Sequence, residues 1–248
     1  MAHSFLGKWI TTAELAAIPP RNVFHRQLEK VTLPDDGVKN RHVLFRRRFT
    51  LGGFARALLY ISADDYYKLY INGVFVGQGP SPAYHFRYGY NVIDVSAYLV
   101  TGENVIAVHT LYQGLINRVW QSGDGRHGLI LDLVADGKTV LASDPSFRTS
   151  LHTAFEAMGK VGYETQFLER YDAAAPEVGF ERTDFDDGDW HAACVKENDD
   201  HTLVEQKSKM LDFECVLPKV VTQKGERVFI DFGANHVGYL SDCQGSKG

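Results

Sequence analysis

Two stretches concentrate ring-bearing and hydrogen-bonding side chains. The first, PSPAYHFRYGY at 80–90, sets Tyr84, His85, Phe86, Arg87, Tyr88 and Tyr90 close together behind a stiff Gly-Pro-Ser-Pro segment. The second, YQGLINRVWQSGDGRHG at 112–128, offers Tyr112, Gln113, Asn117, Arg118, Trp120, Asp124 and Arg126. Ring faces suit the C–H patches of a saccharide, and planar donors and acceptors suit its hydroxyls. The glycines of SGDGRHG let backbone approach a ligand closely or turn tightly. Each stretch also has a structural reading. The rings of the first would pack the loop onto the fold, and the second would form an interdomain contact with Arg126 paired to Asp124.

Carboxylates offer a second chemistry. Asp64 and Asp65 stand between two strand-like runs, where a close pair can bind Ca²⁺ or act as acid and base. Neighbours on an extended chain point apart, which argues against a catalytic pair. DFDDGDW at 184–190 superficially resembles a calcium loop, but its Gly is misplaced and no Glu closes it. It reads as a solvated turn with Trp190 anchoring the domain edge. Gly-X-Ser-X-Gly, P-loop and His-Glu-X-X-His patterns are absent. Gly77-Gln-Gly79 runs into Pro and lacks a third Gly, so it is no dinucleotide loop. Of the scattered histidines, His85 and His109 lie nearest the aromatic cluster, in hydrogen-bonded roles rather than as metal ligands. No catalytic residue and no metal ligand is assigned.

The 248 residues, 44% of them hydrophobic, suffice for one large core or two small ones. A net charge of −5 without a basic block argues against nucleic acid and membrane-surface partners. The three arginines in HVLFRRRFT at 42–50 read as a strand with two solvated or ion-paired Arg. Cys194, Cys215 and Cys243 are too widely spaced for a disulfide framework or a zinc site, and read as buried thiols in a reducing compartment. The N-terminus lacks a signal-peptide pattern and no apolar run is long enough for a membrane span, so the expectation is cytoplasmic.

Strand signals dominate the elements that would carry these residues. ALLYIS at 57–62 and YYKLYI at 66–71 are rich in Tyr, Ile and Leu. Asn72-Gly73 favours a tight hairpin turn, and Asp136-Gly137 marks a second hairpin between 129–134 and 138–142. Residues 90–95 and 104–110 add strands; in the latter Val105, Ala107 and His109 share one face. KWI at 8–10 reads as an opening strand and 12–17 as one helical turn. Residues 150–200 look looser, 194–208 reads as a polar linker, and 227–232 starts a strand in a new segment. Short strands at turn spacing with little helical period predict an antiparallel sandwich or barrel. The chain stops in a strand-like pattern, as a piece of a longer protein would.

A series of motifs runs in one order: KWI at 8–10, FRRRF at 45–49, YYKLYINGVFVGQGP at 66–80, YNVIDVSAYLVTGENVIAV at 90–108 and ILDLVADGKTVLASDPSFRTS at 130–150. ETQFLERYDA at 164–173, FDDGDW at 185–190 and RVFIDFGANHVGYL at 227–240 continue it. In these the chain resembles the N-terminal region of bacterial α-L-rhamnosidases, glycoside hydrolase family 78. The resemblance implies an all-β, antiparallel jelly-roll (galactose-binding-like) β-sandwich over 1–200. It implies a linker and the opening strands of a second β-domain over 201–248. The family's catalytic acid and base lie on an (α/α)6 barrel beyond residue 248, so this chain would be non-catalytic. It would serve as an accessory carbohydrate-recognition region, with L-rhamnose or related deoxyhexose glycosides and the rest of a parent chain as partners. Its contacts would come from Tyr84, His85, Arg87, Tyr88, Tyr112, Asn117, Arg118, Trp120, Asp124 and Arg126. Calcium is the one cofactor in view, since a related rhamnose-binding module family uses it. The alternatives are a docking module for the barrel that binds no sugar, and a stand-alone glycosidase using Asp64, Asp124 or Asp187.

Overall fold

Asn72 and Gly73 take φ of 51° and 84°, and the chain reverses there from β4 (Tyr66–Ile71) into β5 (Val74–Gly79). Asp136 and Gly137 do the same at 47° and 78° between β8 (Gly128–Ala135) and β9 (Lys138–Ala142). Positive φ at both central positions is the hairpin geometry that Asn-Gly and Asp-Gly tolerate. These turns belong to a computed structural model that describes residues 3–19, 39–81, 83, 87–114, 126–161, 166–197 and 201–238.

The remaining elements are β1 (Ile10–Thr11), α1 (Ala13–Ala16), β2 (Arg41–Leu51), β3 (Ala57–Asp64), β6 (Tyr88–Asp94) and β7 (Gly102–Tyr112). They continue with β10 (Arg148–Leu151), β11 (Phe155–Val161), β12 (Gln166–Tyr171), β13 (His191–Ala192), β14 (Cys194–Val195), β15 (Leu203–Glu205), β16 (Val220–Lys224) and β17 (Arg227–Asp231). Among the described residues, one sheet runs β14-β1-β8-β3-β6-β15 with β9 also on β8, and the other runs β13-β10-β2-β7-β4-β5. Pairing is antiparallel throughout, except that β15 lies parallel to β6. The two sheets face each other as a β-sandwich. Leu59, Ile61, Leu129 and Leu131 of the first meet Phe45, Leu69, Ile106 and Val108 of the second, all buried. Period-two alternation places them there: Tyr67, Leu69 and Ile71 point inward, and the intervening Tyr66, Lys68 and Tyr70 point out.

The outward face of the second sheet is covered as well. Leu44 and Ala107 pack with Phe180 and Trp190, so Trp190 anchors the acidic 184–190 turn, whose Asp184, Asp186 and Asp189 stay exposed, as expected. Arg46, fully buried, donates to Asp187 Oδ2 at 2.5 Å and to the Phe180 and Arg182 carbonyls at 2.9 and 2.7 Å. Arg48 remains exposed and donates to the Thr183 and Phe185 carbonyls. The expected linker at 194–208 is corrected. Cys194–Val195 pairs with Ile10–Thr11, and Leu203–Glu205 pairs with residues 88–90. Lys196 is buried and donates to the Leu15, Ala16 and Ile18 carbonyls, closing the C-terminal end of α1. Cys194 is half-buried and Cys215 exposed, against the expectation of buried thiols.

The chain divides into two units, Met1–Met210 and Leu211–Gly248. The second unit holds the β16–β17 hairpin, where Val220, Val221, Val228, Phe229 and Ile230 are all exposed.

Candidate functional site

Antiparallel pairing brings six strand ends to one end of the sandwich. Asp64, the last residue of β3, pairs with Gly128, the first of β8. Tyr66 at the start of β4 pairs with Leu111 near the end of β7, and Tyr67 pairs with Gly79 at the end of β5. The start of β6 lies beside the end of β3, through Ile61 and Asn91. The connection after β5 and the connection after β7 therefore leave from, and return to, the same end. Loops that cluster on a rigid sandwich are where binding residues gather.

Side chains at the roots of these connections are tied down. The Asp65 carboxylate accepts from Gln113 N at 2.8 Å, and Asp65 N donates to Leu111 O at 3.1 Å. Asp64 is fully buried beside it, across a cis peptide bond. Burial, and then the Asp65 charge, push the Tyr66 phenol well above its ordinary value. Burial alone does the same to Tyr67, whose hydroxyl donates to Asn91 Oδ1 at 2.6 Å. Arg126 is buried and donates to Glu197 O at 3.2 Å and His201 Nδ1 at 3.3 Å. His201 meets Trp9 and Tyr88 with ring centres 5.4 and 5.2 Å apart, and Tyr88 N donates to Thr202 O. Ser81 N donates to the Gln206 side-chain carbonyl at 2.7 Å. Glu197, His201, Thr202 and Gln206 thus brace both connections.

His127 joins the two sheets beneath this end. Its Nδ1 lies 2.6 Å from Thr11 Oγ1 on β1, and its Nε2 lies 2.8 Å from Thr110 Oγ1 on β7. The Thr110 hydroxyl donates to Val43 O, so it accepts from Nε2–H, and Nδ1 accepts from Thr11. Burial, and then the Lys196 charge, push the ring down to about 3, so it is neutral at neutral pH.

Of the proposed contact residues, Tyr84, His85, Asn117, Arg118, Trp120 and Asp124 lie outside the described residues, as does Phe86. Arg87 is exposed at the mouth of β6. Tyr88, Tyr112 and Arg126 flank the two connections at the same end, with their side chains buried at 3%, 0% and 4% exposure. They are placed to hold the loop bases. Asp187 is engaged with Arg46 on the outward face of the second sheet, so the structure does not bring it to Asp64. No group of three or more His, Cys, Asp or Glu side chains among the described residues is arranged to hold a metal ion. Among those residues no helix is long and apolar enough to cross a membrane. Sequence reasoning passed over Trp9, His127, Lys196 and His201. Trp9 stood in a motif but carried no functional signal, and a lone His or Lys has no spacing to read.

Sandwich and loop end together define a β-sandwich domain. The profile of the alpha-L-rhamnosidase N-terminal domain family matches residues 52–213, most of the chain. The chain belongs to that family. It is similar to the GH78 family rhamnosidase of Bacillus sp. GL1, with 26% identity and a TM-score of 0.72 over 88% of this chain and 22% of that one. The α-L-rhamnosidase from Dictyoglumus thermophilum shares the fold at 23% identity and a TM-score of 0.62, over 93% and 26%. A lectin from Pleurotus ostreatus, solved in complex with GalNAc, shares it at 20% identity and a TM-score of 0.50, over 79% and 44%. This chain therefore spans about a quarter of the two rhamnosidases it resembles. No curated protein matches its sequence.

Proposed function

We propose that the chain is a non-catalytic carbohydrate-recognition region of an α-L-rhamnosidase-like glycoside hydrolase, reading a deoxyhexose such as L-rhamnose at the loop end of the sandwich. One observation carries this reading. Both connections rich in rings and polar groups spring from a single, heavily braced end. The sandwich shape is also that of a lectin crystallised with GalNAc. Turnover would belong to another part of a longer parent chain.

Calorimetric titration of the purified chain with L-rhamnose and a panel of monosaccharides, with and without Ca²⁺, tests the reading. Saturable binding between millimolar and micromolar Kd, selective for a deoxyhexose and abolished by Trp120→Ala, is expected. Unchanged binding in Trp120→Ala overturns the assignment of the 112–128 connection.

The burial of Tyr88, Tyr112 and Arg126 favours a second reading, a structural module that docks other domains and binds no sugar. Silence across the whole panel from a folded chain would select it.

A further inference from the structure

The outward face of the second sheet carries a polar cluster a few residues in from the loop bases. Lys68 of β4 and His109 of β7 are register partners there, and His42 of β2 lies alongside with its Nδ1 2.8 Å from His109 Nε2. His152, just past β10, meets His109 edge-on with ring centres 5.2 Å apart. His42, His109 and His152 are all buried. Two carboxylates border the row. Glu169 of β12 accepts from His42 Nε2 at 2.6 Å and from Asn40 Nδ2 at 2.9 Å. Glu177 accepts from the Thr153 hydroxyl at 2.7 Å and lies 3.9 Å from His152 Nδ1.

The β11–β12 hairpin sits on this row. It forms a two-stranded sheet of its own, outside both ladders of the sandwich. Phe155 and Glu169 fasten it. The Phe155 ring lies flat on His42 with centres 4.1 Å apart, and meets His109 and His152 at 5.4 and 5.1 Å. Phe180 closes the far side against His109 and His152. Elsewhere the hairpin is open to water, with Met158, Leu168 and Tyr171 exposed.

We propose that this row of histidines is an acid-released clasp. At neutral pH it holds the β11–β12 hairpin on the sheet, and acidification loosens the hairpin while the sandwich core stays folded.

The chemistry of the row sets the direction. With Glu169 ionised and both rings neutral, His42 donates through Nε2, which leaves Nδ1 to accept from His109 Nε2–H. Each added proton puts a charge among three imidazoles and Lys68, in a place with little water. Burial first, then the charges of His42, His152 and Lys68, hold His109 well below an ordinary histidine. Burial, then His42, push His152 down to about 4, against an upward pull from Glu177. Lifting the hairpin removes Phe155 and Glu169 from the row and lets water reach it. The lifted state thus binds protons more readily between pH ~6.5 and 4, so the clasp is at full strength above that window and weakens through it as pH falls. Burial would raise the Glu169 carboxyl. Hydrogen bonds from His42 and Asn40 and the charges of His42 and Lys68 outweigh it and leave Glu169 below its usual value, so its own release follows at lower pH.

Amide hydrogen exchange on the whole chain from pH 4.5 to 7.5, corrected for intrinsic rates, tests the proposal. Protection of the β11 and β12 amides is expected to fall on the order of tenfold between pH 7 and pH 5, with β3, β7 and β8 unchanged. His152→Phe, which keeps a ring between Phe155 and Phe180 and cannot titrate, is expected to flatten that dependence. Hairpin protection that is independent of pH, or that is lost in step with the core strands, overturns the clasp. So does an unaltered pH profile in folded His152→Phe; if that variant does not fold, the wild-type comparison of hairpin and core decides.

Discussion

His127 and Arg46 show what single side chains contribute. His127 bridges the two sheets with both ring nitrogens engaged, and its neutral form is the one the fold accepts. Because its folded pKa is lowered, its contribution is complete above the ordinary histidine value of ~6.5 and drains away as pH falls toward 3. His127→Phe leaves the Thr11 hydroxyl buried without its acceptor, at a cost of about 1–3 kcal/mol at pH 7. Denaturant titrations should show wild-type stability falling from pH 7 to pH 5 more steeply than the variant's; parallel profiles would contradict the bridge. Arg46 is a different case. Its guanidinium is fully buried against Asp187 and the Phe180 and Arg182 carbonyls, so Arg46→Ala strands those acceptors and opens a cavity. About 3–5 kcal/mol of stability should be lost in the same assay. The run of three arginines hinted at a paired residue, yet the partner lies far along the chain, at a distance no local pattern reveals.

Among the elements, the hairpins were the most legible. Asn72-Gly73 and Asp136-Gly137 announce positive φ, and alternation in 66–71 separates the core-facing Tyr67, Leu69 and Ile71 from their neighbours. The turn residue does more than turn. Asn72 Nδ2 donates to Tyr98 O and Asn104 Oδ1, both at 2.9 Å, and its Oδ1 accepts from Val105 N at 2.8 Å. Asn72→Gly keeps the backbone geometry and removes these bonds. It should cost about 1–3 kcal/mol by thermal or denaturant unfolding, and a neutral result would mean that the turn alone matters. The elements that escaped the sequence are short. β14 and β15 are runs of two and three residues whose order comes from distant partners, Ile10–Thr11 and residues 88–90. Polarity read that stretch as a linker, yet Lys196 is buried, with its ammonium on three carbonyls at the end of α1.

At the scale of the molecule, one sandwich and its braced end support a single picture. Antiparallel pairing puts the roots of the 80–90 and 112–128 connections at one end, and His201 and Gln206 brace those roots. The two ring-rich connections were legible because their rings and polar groups cluster in sequence. The braces were not, since Trp9, His127 and His201 come from separate parts of the chain and meet only in the folded sandwich. The central claim is that this end reads a sugar. The most direct measurement is a backbone NMR titration of the isotope-labelled chain with L-rhamnose. Recognition at the loop end predicts saturable shifts at Arg87–Tyr90, Gln113–Gly114 and Arg126–Gly128, with the β11–β12 and β16–β17 hairpins silent. Shifts centred elsewhere, or none at saturating sugar, would contradict it.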